Sequence, residues 1–363
     1  MNRKSMRVLA ATAAGTALIF GLSACGAGNE SGSSDDEAGL KGTLNGAGAS
    51  SQEAAVAAWK AGFQTKNPDV TVNYDPAGSG AGREQFIAGG VQFAGSDAYL
   101  DDEELKAAET KCGSPVVSVP TYVSPIALAY NLEGVDNLQL SPATAAGIFS
   151  GKITSWDDAA IKADNPDATL PSQKITPVHR SDDSGTTENF TDWLRATAPD
   201  AWTAEAAQTW PVKGGEAAKG TSGVVEAVKA GAGAIGYADS SQVGDGLGKA
   251  AVKVGEAFVA PSEDAAAKML DEATLVDGRE ATDLALTLNR TTTAADTYPV
   301  VLVSYQMTCQ KQPDADTAAL VKGWFEYVTS EDGQAEAEKN AGSAPLTEDF
   351  SSKVADAVGT ITK

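Results

Sequence analysis

The chain has 363 residues, with 49 Asp and Glu against 27 Lys and Arg, a formal net charge of −22, 42% hydrophobic residues and 21% charged ones. That length accommodates two or three domains with a sizeable core, and the composition is too apolar for a disordered chain. The acidic balance, with no concentration of Lys and Arg, argues against nucleic acid as a partner. A single histidine, His179, and three cysteines leave too few ligands for a His/Cys metal site or a His-based catalytic apparatus, so neither metal nor cofactor is expected.

The N-terminus reads as an address. MNRKSMR carries three positive charges, and VLAATAAGTALIFGL follows as an apolar run of signal-peptide length, too short for a membrane span. The run ends in Leu22-Ser23-Ala24-Cys25, which resembles the bacterial lipobox. The resemblance implies that residues 1–24 are a lipoprotein signal peptide. It also implies that Cys25 carries the lipid, palmitate included, which anchors an extracytoplasmic protein to the outer face of the bacterial membrane. Residues 25–39, rich in Gly, Ser and acid, read as a flexible tether. Cleavage removes Arg3, Lys4 and Arg7 and no acidic residue, which takes the net charge from −22 to −25. In an oxidising compartment Cys112 and Cys309 are expected to form a disulfide.

From Leu40 the chain alternates helical and β-rich segments, the pattern of α/β architecture. Val56, Trp59 and Phe63 recur at helical spacing. Strands are expected at 70–74, 116–120, 126–131, 174–180, 233–238 and 299–307, and a second amphipathic helix carries Phe190, Trp193 and Leu194. The stretch from Ala315 to Asn340 reads as one long amphipathic helix through Leu320, Trp324 and Tyr327. Pro120 to Pro125 and Tyr298-Pro299 look like stiff, extended crossings between lobes. They divide the body into lobe I, residues 40–121 with 300–363, and an inserted lobe II, residues 122–299. Cys112 and Cys309 then share a lobe.

Three glycine-serine loops each feed a helix: Gly46 to Ser51, Ala77 to Gly82, and Arg180 to Thr187. Each offers backbone donors, hydroxyls and the positive end of a helix, and the third adds the charge of Arg180. Two belong to lobe I and one to lobe II, so a small anion could be held between lobes and shielded from water.

LNGAGASS, YDPAGSGAGREQFI, VQFAGSDAYL, SGKITSWDDAAI, LPSQKITPVHRSDDSGTTENFTDWL and GAIGYA resemble, in that order, the periplasmic-type phosphate-binding proteins of bacterial phosphate ABC importers. The likeness runs from about Leu44 to Pro345. It implies a two-lobed periplasmic-binding-protein fold, with a mixed sheet in each lobe and crossover strands as hinge. It further implies a monomer that binds inorganic phosphate without transforming it and passes it to membrane permease and ATPase subunits. Carried over by motif, Ser50, Ser51 and Ser79 donate to the anion, Asp97 accepts from it, and Arg180 supplies positive charge. Ser184, Gly185 and Thr186 donate at the third helix start, and Asp182 holds the guanidinium. Phosphate keeps a proton near neutral pH and sulfate does not, so Asp97 is expected to discriminate between them. The family often has an aromatic residue where Ser51 stands, so only the Ser51 N–H carries over. A glycine is common at Asp183, which is expected to face solvent. His179 should point away from Arg180 and serve packing. Two alternatives stay open: another ligand, namely sulfate, molybdate or an organic phosphate, and a hydrolase with Ser184 or Ser79 as nucleophile, although neither lies in G-x-S-x-G.

Overall fold

A computed structural model describes residues 39–363; the proposed signal peptide, Cys25 and the tether up to residue 38 lie outside the described residues. Leu40 already packs against the core. The first loop is the end of a strand, β1 (Gly42–Gly48), which leads into α1 (Glu53–Lys66), whose Val56, Trp59 and Phe63 are buried as their spacing requires. The chain continues through β2 (Val70–Asp75), α2 (Ser79–Ile87), β3 (Phe93–Ser96) and α3 (Asp102–Cys112). These strands pair in parallel around β1, which brings the C-terminal ends of β1 and β3 to one rim.

The two lobes are joined by β4 (Val116–Tyr130), fifteen consecutive buried residues. The stretch from Pro120 to Pro125, expected as an extended crossing between two strands, is extended and continues both as one strand. Each proline sits at a discontinuity in pairing, where a missing N–H costs little. Pro120 lies at a register shift opposite Ser304 and Tyr305, and Pro125 is the last residue paired with the return strand before β4 takes a new partner at Ile126.

The second lobe follows with β5 (Thr176–Arg180), α4 (Gly185–Thr197), β6 (Glu216–Ala218), α5 (Gly220–Ala230), β7 (Ala234–Asp239) and β8 (Gly248–Val254). The return strand β9 (Val301–Cys309) is antiparallel to both β3 and β4. The main path through the sheet is β2-β1-β3-β9-β4-β7-β5-β6, with β8 also on β4. The fold is thus α/β with mixed pairing in both lobes. Well before β9, Thr282 and Leu284 hydrogen-bond Ser118, so this part of the 122–299 stretch lies against the first lobe's end of β4.

Trp59, Phe63, Phe93 and Trp324 fill the first lobe, and Phe190, Trp193 and Tyr237 the second. The expected C-terminal helix is two helices, α6 (Ala315–Thr329) and α7 (Glu331–Ala341). Ser330 is extended and caps α7 through the Gly333 N–H, with Glu331 and Asp332 favourably placed in the first turn. A side chain at Gly333 would collide with the Tyr327 carbonyl, so the break also lets the two segments pack closely. The expected disulfide joins the end of α3 to the end of β9, Cys112 to Cys309, across 197 residues.

At the crossover, β7 ends in Asp239, which is fully buried and accepts from the Tyr122 hydroxyl at 2.9 Å and from Ser241. Burial pushes its carboxyl up to about 6, against opposing hydrogen bonds from Ser241, Ser124 and Tyr122. The folded protein therefore holds this proton more tightly than the unfolded chain. The contribution of Asp239 to stability is full below the unfolded value near 4 and is lost as pH rises to about 6. We expect Asp239→Asn to raise stability at pH 7.5 by on the order of 1–3 kcal/mol and to leave it little changed at pH 4. Urea unfolding at both pH values checks this; an equal effect at both would contradict it.

Candidate functional site

The strand ends and helix starts of the two lobes meet at Asp97, the residue after β3. Its side chain is 3% exposed, and every polar atom of the residue is engaged. Oδ1 accepts from the Ser51 hydroxyl at 2.6 Å and from the Ser304 hydroxyl at 2.6 Å, while Oδ2 accepts from the Thr186 hydroxyl at 2.8 Å. The Asp97 N–H donates to Ser79 Oγ at 3.2 Å, and its carbonyl accepts from Asn189 at 2.7 Å. Ser51, Ser79 and Ser304 come from the first lobe or its return strand, and Thr186 and Asn189 from α4. Asp97 is thus bonded from both lobes.

Four helix starts converge around it. Ser50 and Ser51 precede α1, Ser79 opens α2, Ser184 caps α4 by accepting from the Thr187 N–H at 3.1 Å, and Thr221 lies in the first turn of α5. The Ser50 hydroxyl accepts from the Thr221 N–H at 3.0 Å and lies 3.0 Å from its hydroxyl, a second tie between lobes. Two α4 N–H groups, those of Gly185 and Thr186, have no intrahelical acceptor, as the start of any helix dictates. With the helix dipole they make a positive end.

Arg180 ends β5 with its guanidinium buried. Nε and Nη2 both bond the Asp182 carboxylate, Nε at 2.8 Å, and Asp182 also accepts from the Gly220 N–H at 3.0 Å. Burial alone would push the Asp182 carboxyl up, but the bonds and charge of Arg180 and the Gly220 N–H outweigh it and hold it below its ordinary value. A fork with five N–H donors that gives two to Asp182 keeps three outside that pair. The Arg180 N–H is anchored on the Tyr237 hydroxyl at 3.1 Å.

Backbone geometry makes the approach possible. Gly78 has φ 111°, and a Cβ there would stand 2.7 Å from Asp182 Oδ2. A Cβ on Gly185 would lie 2.7 Å from Asp97 Cβ and 2.8 Å from Ser79 Oγ. The Gly80 N–H donates to the Asp183 carbonyl, again across the lobes, while the exposed Asp183 side chain accepts from Thr209 as the solvent-facing expectation requires. His179 stacks on Trp210 with centroids 5.0 Å apart, and its Nδ1 lies 2.9 Å from the Arg180 carbonyl.

All eight residues expected at the site are brought together, with Asp182 behind Arg180. The Ser51 side chain, expected to contribute only its N–H, also donates to Asp97. Sequence reasoning missed Thr221 and Gly220, although Gly220-Thr221-Ser222-Gly223 carries the same loop-into-helix signal as the three loops it found. It also missed Ser304, Gln52 and Asn189. A cavity of about 570 Å³ adjoins the site, lined by Asp97, Tyr99, Glu104, Glu188, Asp192 and Arg290 among others. Arg180 is not among the residues that line it.

A family model described as a PBP superfamily domain matches residues 33–332. The chain is 34% identical over 328 residues to the phosphate-binding protein PstS 3 of Mycobacterium leprae, covering 89% of this chain and 88% of the relative. It is 35% identical over 364 residues to PstS2 of Mycobacterium bovis, covering 96% of each. Its fold matches a solved high affinity periplasmic phosphate-binding protein, PfluDING, with phosphate bound, at TM-score 0.70 and 22% identity, over 87% of this chain and 93% of that one. A phosphate-binding protein from Stenotrophomonas maltophilia matches at TM-score 0.67 and 21% identity, over 86% and 93%. At those identities the structures speak for the fold alone. The sequence relatives carry the assignment further, and the chain belongs to the PBP superfamily and, within it, to the family of the PstS phosphate-binding proteins.

Proposed function

We propose that this protein is an extracytoplasmic receptor that closes its two lobes on one inorganic phosphate and passes it to the permease and ATPase subunits of a phosphate ABC importer. The observation that carries this reading is the pairing of opposites around Asp97: an acceptor carboxylate on one side, with Arg180 and the free N–H groups of Gly185 and Thr186 on the other. A fully deprotonated oxyanion satisfies only the donors. A hydrogen phosphate satisfies both, because its oxygens accept from Arg180, Ser50, Ser51, Ser79, Ser184, Gly185 and Thr186 while its own O–H donates to Asp97. Relatives are named as phosphate-binding proteins, which supports the same ligand. A nucleophile reading has less support. The Ser184 hydroxyl caps α4, Ser79 Oγ receives the Asp97 N–H, and the one imidazole is stacked on Trp210.

We place lobe I at 40–121 with 300–363 and the inserted lobe II within 122–299, whose segment 282–284 rests on lobe I, with residues 25–39 as the tether and the lipid on Cys25 after removal of residues 1–24. The receptor acts as a monomer. Among the described residues no helix is long and apolar enough to cross a membrane.

Calorimetric titration of the ligand-stripped protein should show phosphate and arsenate binding at one site, with sulfate and molybdate weaker by orders of magnitude. Equal affinities would contradict the proposal. In Asp97→Asn the amide can donate to sulfate, so the phosphate-to-sulfate affinity ratio should fall about 100-fold, equivalent to about 3 kcal/mol. A ratio like that of the wild type would make Asp97 a structural cap.

Gly185→Ala should leave each lobe folded and obstruct closure through Asp97 Cβ and Ser79 Oγ. Phosphate affinity should then fall at least about tenfold, the equivalent of roughly 1.4 kcal/mol. Small-angle scattering should show no compaction on adding phosphate, whereas the wild type becomes more compact; a variant that compacts like the wild type would argue against lobe closure. Cys25→Ala should move the protein from the membrane to the soluble fraction with phosphate affinity unchanged. Retention on the membrane would argue against the lipid anchor.

A further inference from the structure

Behind Asp97 lies a chain of buried polar side chains that capping, folding of the lobes and anion contact leave unexplained. The Trp324 indole N–H donates to Gln306 Oε1 at 2.8 Å, and Gln306 Nε2 donates to Gln52 Oε1 at 3.4 Å. Gln52 Nε2 donates to Ser304 Oγ at 2.6 Å and to the Tyr305 carbonyl at 3.0 Å. The Ser304 hydroxyl donates to Asp97 Oδ1 at 2.6 Å. Trp324, Gln306, Gln52 and Ser304 are all fully buried.

Two groups fix the direction of every bond in this chain. An indole N–H can only donate, so the oxygen of Gln306 must face Trp324 and its amide nitrogen must face Gln52. A backbone carbonyl can only accept, so the amide nitrogen of Gln52 must face Tyr305, and it reaches Ser304 with the same group. Ser304 Oγ is thereby an acceptor from Gln52. Its one proton is then directed to Asp97. Neither amide can be turned without leaving a buried donor facing a donor.

Strand register provides the aim. β9 pairs Tyr305 with Ser96, which sets Ser304 beside Asp97, the residue after β3. Ser304 and Gln306 lie two residues apart and both reach Gln52, so they share one face of β9 by ordinary alternation. With Ser51 also on Oδ1, that oxygen is saturated by donors. Oδ2 has Thr186 and keeps one acceptor position.

We infer that Gln52 and Ser304 are positioning residues for anion discrimination, holding Asp97 as an obligate acceptor so that only an anion bearing a proton can complete Oδ2. This rests on the phosphate reading and names the residues that enforce its selectivity. Without the Ser304 donor, Oδ1 keeps only Ser51 and the carboxylate is free to turn Oδ2 from the anion, which lowers the repulsion that a fully deprotonated anion meets there. Discrimination then weakens although no residue touching the ligand has changed.

The test is calorimetric titration at pH 8 with phosphate and with sulfate, both mainly dianions there, on the wild type, Ser304→Ala, Ser304→Thr and Gln52→Glu, with thermal melts alongside. In Ser304→Ala the phosphate-to-sulfate affinity ratio should fall at least fivefold, with sulfate binding strengthened. Ser304→Thr keeps the hydroxyl and should restore most of the ratio. Gln52→Glu replaces the donor by an acceptor that turns the Ser304 proton away from Asp97, and it should lower the ratio as Ser304→Ala does. A merely structural chain predicts that both anions weaken by the same factor and the ratio stays put. That result in either folded variant overturns the inference. A wild type that binds no phosphate would instead sink the functional proposal itself, so the two failures are distinguishable.

Discussion

The structure depends on one constraint: a buried carboxylate, Asp97, that must be satisfied from two separate lobes at once. Its Oδ1 takes hydroxyls from the first lobe and the return strand, and its Oδ2 takes a hydroxyl from α4 of the second. A buried charge without such partners costs several kcal/mol. The closed arrangement of the lobes and the satisfaction of Asp97 are therefore the same fact. The Ser50–Thr221 and Gly80–Asp183 contacts seal the rest of the seam, and Arg83 adds to it by joining Glu104 and Ser96 in its own lobe to Gln208 in the other.

This explains how a strongly acidic protein can hold an anion. Net charge acts over distances that salt screens within about 8 Å. The field at the site is set instead by Arg180, whose guanidinium is oriented by Asp182, and by the start of α4. Asp182 itself is held in its charged form by the same pair. The fold supplies these groups economically, because the parallel strands of each lobe deliver helix starts to one rim.

Much of this was legible in the sequence, for a physical reason. Loops such as Gly46 to Ser51 and Arg180 to Thr187 join a strand to a helix within a few residues, so local composition announces both the turn and the exposed N–H groups. Periodic apolar residues such as Trp59, Phe63, Phe190 and Trp193 similarly mark buried helix faces. The Cys112–Cys309 pairing followed from compartment and cysteine count, with no help from geometry. What was not legible depends on register. Ser304 sits inside an apolar strand run, and only the pairing of β9 with β3, Tyr305 opposite Ser96, brings it to Asp97. Gln52 is an ordinary polar residue until β9 is laid beside it. Continuity of β4 through two prolines likewise depends on a register shift at Pro120 and a change of partner after Pro125. The break at Ser330 was readable in principle, since Ser-Glu-Asp-Gly is a capping sequence, but the apolar stripe of α6 masked it.

The most direct measurement of the central claim is a high-resolution diffraction structure of the protein crystallised with phosphate at pH 8. The account predicts a single phosphate enclosed between the lobes, with one oxygen within hydrogen-bond distance of Asp97 Oδ2 and the others on Arg180 and the Gly185 and Thr186 N–H groups. A phosphate bound away from Asp97, or held by one lobe with the other swung clear, would contradict it.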